Sequence, residues 1–251
     1  MTKKILLSLI SVMALNTSYK SSDSASTAKA KSDTAAFAAL NEVEPTENSL
    51  SELVLSSYNR IDFSNVQKLS FDVFEKAMTG FENLKKAGEI KEETVLLTVC
   101  DFSKSSNEKR LWVINTKTGE ILFNALVAHG KNTGDEFAKN FSNTESSLQS
   151  SLGFYRTDLT YQGGNGYSLK LYGLDKGYND AAFRRAIVMH GANYVNENFA
   201  KQHRRIGRSW GCPAVSSELA KPIINTIKDG SVLFIYYPDQ TYLRDTKWLK
   251  S

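Results

Sequence analysis

Two residues in this chain are placed to do covalent chemistry, His190 and Cys212. A free cysteine has a pKa of about 8.5, so at neutral pH it is mostly the unreactive thiol. An imidazole that takes the thiol proton turns such a cysteine into an acyl-transfer nucleophile. His190 closes the apolar run Ile187-Val188-Met189 and is followed by Gly191. Cys212 sits in Gly207-Arg208-Ser209-Trp210-Gly211-Cys212-Pro213-Ala214-Val215. A strand end and a loop folding back on it bring such a pair together. Gly211 lets the backbone approach a carbonyl, and N–H groups around Ser209, Gly211 and Cys212 are the expected holders of a developing oxyanion. Pro213 removes a donor and stiffens the exit from the turn. The turn holds no Asp or Glu, so His190 is the candidate base.

The other reactive side chains read differently. Cys100 lies inside an apolar strand and is expected to be a buried free thiol rather than a disulfide partner of Cys212. His129 ends a strand as His190 does and is placed at the wall of the cleft, a satisfied structural imidazole being the alternative. His203 stands among Lys201, Arg204 and Arg205 and reads as solvated. Arg184, Arg185, Arg204 and Arg205 read as surface charges, attraction of the carboxylates of an acidic peptide substrate being the alternative. Arg208, beside the turn, is the arginine expected to meet substrate. Trp210 is either a wall of the cleft or core.

The elements that must position this chemistry are mostly strands. Thr94–Phe102 is β-branched and apolar, the pattern of a buried strand. Arg110–Asn115 and Glu120–Ala128 flank the Gly-containing turn Thr116–Gly119, which reads as a hairpin. Further strands are expected at 153–156, 168–172, 186–190 and 231–237, with Gly163-Gly164-Asn165-Gly166 as a turn. The fold class is therefore mainly β, α+β overall, a sandwich or barrel-like domain over 93–240. A helix opened by a Ser cap is expected at Ser217–Lys228 and closed by Gly230. Phe71, Phe74, Ala77, Met78, Phe81 and Leu84 recur at helical spacing, and 51–92 reads as a helical segment packed on that domain. Residues 241–251 read as a tail.

Composition narrows the classes. The 251 residues are 41% hydrophobic and 23% charged, so the chain can bury a core. Two cysteines make no disulfide scaffold, and three histidines leave little for a metal centre. The net charge of +4 is too weak and too mixed to argue for nucleic acid. No phosphate-cradling or dinucleotide motif occurs, so no cofactor and no metal are expected. Lys3 and Lys4 precede the apolar stretch Ile5–Leu15, which is too short to span a bilayer and matches the h-region of an export signal over residues 1–20. Residues 21–50, rich in Ser, Ala, Lys and Thr, read as a flexible tether. An exported protein of the periplasm or cell envelope is expected, with no transmembrane segment. The sequence says nothing about its oligomeric state.

From about Thr94 to Tyr237 the chain resembles the murein L,D-transpeptidase catalytic domain family of the YkuD-like superfamily. The resemblance is carried by His190-Gly191, by Ser209-Trp210-Gly211-Cys212, by Val127-Ala128-His129-Gly130-Lys131, and by the segment from Phe141-Ser142-Asn143 to Gly153-Phe154-Tyr155. It implies that Cys212 attacks the third residue of a peptidoglycan stem tetrapeptide, with D-Ala leaving and a thioester forming. It further implies that a second stem's amine resolves the thioester into a 3→3 cross-link. His190 would shuttle the proton, oriented by a backbone carbonyl; Gly191, Arg208, Trp210 and His129 would contact the stem. A carbapenem-type β-lactam would acylate Cys212. Two departures stand out. Many relatives have His at the position of Trp210 and Arg at that of Ala214, so a substrate-orienting contact must come from elsewhere, Arg208 being the candidate. Hydrolysis of the same stem, as an L,D-carboxypeptidase, and a non-catalytic peptidoglycan-binding module are the alternatives.

Overall fold

The computed structural model describes residues 47–250; the expected export signal and nearly all of the expected tether lie outside them. Helix α1 (Glu47–Asn59) starts ahead of the expected boundary at residue 51. Helix α2 (Phe71–Lys86) is set by the apolar stripe read in the sequence. Ser70 caps it by accepting the Val73 N–H, which satisfies one of the orphan donors of the first turn. Its buried face packs on the sheet. Gly80 permits the close approach: a Cβ there would stand 2.0 Å from the Phe154 ring.

Eight strands follow in one mixed sheet: β1 (Leu96–Asp101), β2 (Leu111–Asn115), β3 (Ile121–Ala125), β4 (Gly153–Gly163), β5 (Gly166–Gly173), β6 (Val188–Ala192), β7 (Ala214–Ser216) and β8 (Val232–Tyr236). Their spatial order is β3-β2-β1-β8-β4-β5-β6-β7. The two ends of that order meet, because Ala128, just past β3, pairs with Ala214 of β7. The sheet is thus barrel-like rather than a sandwich of two sheets. β1 and β8, apolar runs in the sequence, are parallel central neighbours, and β8 is buried throughout. β2 and β3 form the expected antiparallel hairpin.

Three further helices complete the unit. Helix α3 (Glu197–His203), capped by Asn196, lies between β6 and β7 and was not foreseen. Helix α4 (Ser217–Ile227) follows β7 directly, with Ser216 as its cap, and packs on β6. The last segment is not a tail. Helix α5 (Gln240–Asp245) and a 3₁₀ turn (Lys247–Leu249) bury Tyr242 and Trp248. Asp175 ties them to the barrel by accepting from the Phe154 N–H at 2.7 Å, the Tyr242 hydroxyl at 3.3 Å and Thr246 Oγ1. No described helix is long and apolar enough to cross a membrane.

Candidate active site

The parallel ladder of β6 and β7 positions the two reactive residues. Its register pairs His190 with Ala214 and Gly191 with Val215. Two residues earlier, Cys212 lies beside Val188, and the Val188 N–H points at its Sγ at 3.5 Å. The thiol in turn points at the Ala186 carbonyl, 3.7 Å away. His190 thus lies in the middle of β6 rather than at the end of its strand, and Cys212 just ahead of β7, one two-residue step away along the ladder. Both are largely buried, Cys212 at 9% and His190 at 4% exposure. Both cysteines are free thiols.

The nucleophile turn is shaped by hydroxyls. Ser209 Oγ donates to the Cys212 carbonyl at 2.6 Å and accepts the Gly211 N–H at 3.1 Å. The Gly211 N–H, an expected oxyanion donor, is thus engaged inside the turn in this structure. The Cys212 N–H has no acceptor among the described residues. Gly211 is fixed by its surroundings twice over. Its φ is +126°, where side chains are strained, and a Cβ would lie 2.7 Å from the Gln149 carbonyl oxygen. Buried Ser150, which the sequence did not single out, donates to the Gly211 carbonyl at 3.0 Å and accepts the Gly130 N–H at 3.1 Å.

His190 Nδ1 lies 2.9 Å from the Gly191 carbonyl oxygen. A carbonyl only accepts, so Nδ1 carries the proton and Nε2 is left as the basic nitrogen. Burial pushes the Cys212 thiol up, opposed by the Val188 N–H and by the charge of Arg185. Tyr194 is pushed up to about 12 by burial and by the neighbouring Cys212. The site thus holds a protonated thiol beside a group able to take its proton.

Three other expected contacts fall differently, and Trp210 leaves only one of its two alternatives. His129 does not line the cleft. It is buried, with Nδ1 accepting from Arg110 at 2.7 Å and Nε2 donating to the Gly134 and Asp135 carbonyls. Burial, then the Arg110 charge, drives it down to about 3. Arg208 turns to Asp135, 2.8 Å away, and to the Lys131 and Gly134 carbonyls. It braces the 131–135 loop. Gly191 serves packing, since a Cβ there would stand 2.9 Å from that of Ala220 on α4. Trp210 is not core but 75% exposed beside Gly211. A cavity of about 380 Å³ opens between the 131–139 loop and Arg208, and neither Cys212 nor His190 lines it.

The sequence model of the L,D-transpeptidase catalytic domain matches residues 65–236, from the approach to α2 to the end of β8. No curated protein matches the chain. Among solved structures, the chain is similar to the L,D-transpeptidase from Mycobacterium smegmatis at 12% identity and a TM-score of 0.35. That likeness spans 57% of this chain and 59% of the mycobacterial one. It is also similar to the L,D-transpeptidase from Stackebrandtia nassauensis, at 12% identity and a TM-score of 0.35 over 75% of this chain and 90% of that one. The helical cell shape determining protein Pgp2 from Campylobacter jejuni is matched at 13% identity and a TM-score of 0.37, over 64% of this chain and 57% of that one.

Proposed function

Since the chain belongs to the L,D-transpeptidase catalytic domain family, we propose that it is a cysteine acyltransferase of the cell envelope acting on peptidoglycan stem peptides. The Cys212 thiol gives its proton to His190 Nε2, and Sγ attacks the carbonyl of the third stem residue. The Cys212 N–H holds the oxyanion. When the tetrahedral intermediate collapses, His190 protonates the departing D-Ala amine. The result is a thioester on Cys212 and a free amino acid. A side-chain amine of a second stem then attacks the thioester, gives up its proton to His190, and restores the thiol. One amide is broken and one formed, so the thioester carries the energy and nothing else need supply it. Export to the envelope belongs to this proposal, through the signal-like start of the chain.

The observation that carries the reading is the tautomer of His190. With Nδ1 bonded to the Gly191 carbonyl, the basic nitrogen is the other one, on the strand neighbouring Cys212. This also speaks against a non-catalytic binding module, which needs neither the thiol nor the base. The test is to incubate the protein with purified disaccharide-tetrapeptide and weigh the products. A cross-linked dimer that has lost one D-Ala supports the transpeptidase. Disaccharide-tripeptide alone makes the protein an L,D-carboxypeptidase. Unchanged tetrapeptide with the wild type refutes both.

A further inference from the structure

The segment just before β6 does more than lead into the strand. Ala186 adopts a positive φ of +51°, uncommon for a residue with a side chain, and its carbonyl accepts from Cys212 Sγ. Val188, two residues on, donates its N–H to the same sulfur. The residue that opens this cradle is Arg185. Its guanidinium donates to the Ser142 carbonyl at 2.6 Å, the Gln149 carbonyl at 2.6 Å, Ser147 Oγ at 3.1 Å and Ser151 Oγ. All four acceptors are neutral. No carboxylate among the described residues pairs with Arg185; Glu145, whose charge acts on it, is bound to Arg184 instead. One of the bonded atoms, the Gln149 carbonyl oxygen, is the atom that packs against Gly211. Arg185 thus touches the wall of the nucleophile turn and carries a charge that no carboxylate among the described residues pairs with.

We propose that Arg185 is a positioning residue for Cys212: it holds the 142–151 loop against the nucleophile turn and supplies the positive charge that steadies an anionic sulfur and favours carboxylate-bearing electrophiles. Such a charge has to act against burial, which is costly for an unpaired thiolate. The mutual influence of the Arg185 and Cys212 charges agrees with this placement. Tyr155 and Glu145 also act on Arg185, the Cys212 charge acts on Tyr194 in the turn after β6, and His190 stands one two-residue step along the ladder. The proposal rests on Cys212 as the reactive thiol and requires nothing about the substrate.

The test is alkylation of Cys212 by neutral iodoacetamide and by anionic iodoacetate across pH, in the full chain, with the modified peptide identified by mass. Arg185→Gln should move the alkylation midpoint up by about one pH unit and lower the iodoacetate-to-iodoacetamide rate ratio about fivefold. Arg185→Lys, which keeps the charge and loses the fork of bonds, should hold that ratio within about twofold. Arg184→Gln should change nothing. Where Arg185→Gln does not fold, the ratio in His190→Gln should still fall as salt screens the remaining cation. A wild-type profile in Arg185→Gln, equal losses in Arg185→Gln and Arg185→Lys, or a salt-insensitive ratio in His190→Gln would each overturn the proposal. Failure of the stem-peptide reading would appear only in product analysis and would leave these rates as they are.

Discussion

The same dipeptide occurs twice in this protein, as His129-Gly130 beyond β3 and as His190-Gly191 inside β6, and both adjoin the nucleophile turn. The His129 carbonyl accepts the Ser209 N–H at 3.0 Å, while His190 pairs across the ladder with Ala214. Their side chains have opposite fates. His129 keeps its proton on Nε2, and its basic nitrogen is blocked by the Arg110 guanidinium. His190 keeps its proton on Nδ1, and its basic nitrogen is open. Arg110, buried with no carboxylate partner among the described residues, explains the difference: it is bonded to one imidazole, whose tautomer it fixes, and not to the other. The cysteines differ less by charge than by hydrogen bonding. Cys100, wholly buried in β1, is pushed up to about 12 by burial against the opposing charge of Arg110, whereas at Cys212 the Val188 N–H joins Arg185 in opposing burial. Residue type marks a candidate; the partner on each polar atom decides which candidate can react.

The largest effects should come from the reactive pair. Cys212→Ala should abolish acyl transfer with the melting temperature nearly unchanged, while Cys100→Ala keeps activity. Product formation and thermal melting of both variants check this, and equal loss of activity in the two would break the contrast. His190→Gln should cost about 10²–10⁴-fold in rate, the usual worth of a general base. His129→Gln should lose less than about tenfold in rate, because its link to the turn is a backbone carbonyl. Its main effect should be on stability, about 2 kcal/mol from a broken buried network, read by urea unfolding.

Acid titration sharpens the comparison further. Folded His129 stays neutral to about pH 3, against about 6.5 when unfolded. Its contribution to stability is present above about pH 6.5 and is lost as pH falls toward 3. Asp175 has the opposite sign. Burial raises it to about 6 from an unfolded value near 3.9, so its contribution is full below about pH 3.9 and is lost as pH rises through 6. Between about pH 4 and 6 the two slopes oppose each other. In melting curves over that range, Asp175→Asn should steepen the loss of stability on acidification, and His129→Gln should reverse it. Identical slopes in wild type and both variants would refute the assignment. The smallest effect belongs to His203→Gln on α3, whose Nδ1 lies 3.0 Å from the carbonyl oxygen of Phe199 on its own helix; stem-peptide turnover should match wild type.

What the sequence shows and what it hides divide along local and distant contacts. The apolar runs of β1 and β8, the α2 stripe with its Ser70 cap and the Ser216 cap of α4 are signals contained in a few consecutive residues. So are His190-Gly191 and the turn around Gly211. The bridge of Ala128 to Ala214 that closes the barrel, the reach of Ser150 to Gly211 and the grip of Arg185 on the 142–151 loop join residues far apart in the chain. No local pattern encodes them. That is why Arg185 read as a surface charge while Arg208, the neighbour of the turn in sequence, drew the substrate role. The outer half of β4 was missed for a related reason: past Thr157 it alternates toward solvent, with Leu159 exposed, and lacks an apolar run. The C-terminal residues looked like a tail because Tyr242, Thr246 and Trp248 reveal their burial only against Asp175 and Leu174.

The division of labour between the two imidazoles is tested most directly by the rate of acylation by a carbapenem, followed by intact mass and peptide mapping in wild type, His190→Gln and His129→Gln. The account predicts an adduct on the Cys212 peptide in all three, formed within about tenfold of the wild-type rate in His129→Gln and at least about 10²-fold more slowly in His190→Gln. An adduct on any other residue, or a His190→Gln variant that acylates as fast as wild type, would contradict it.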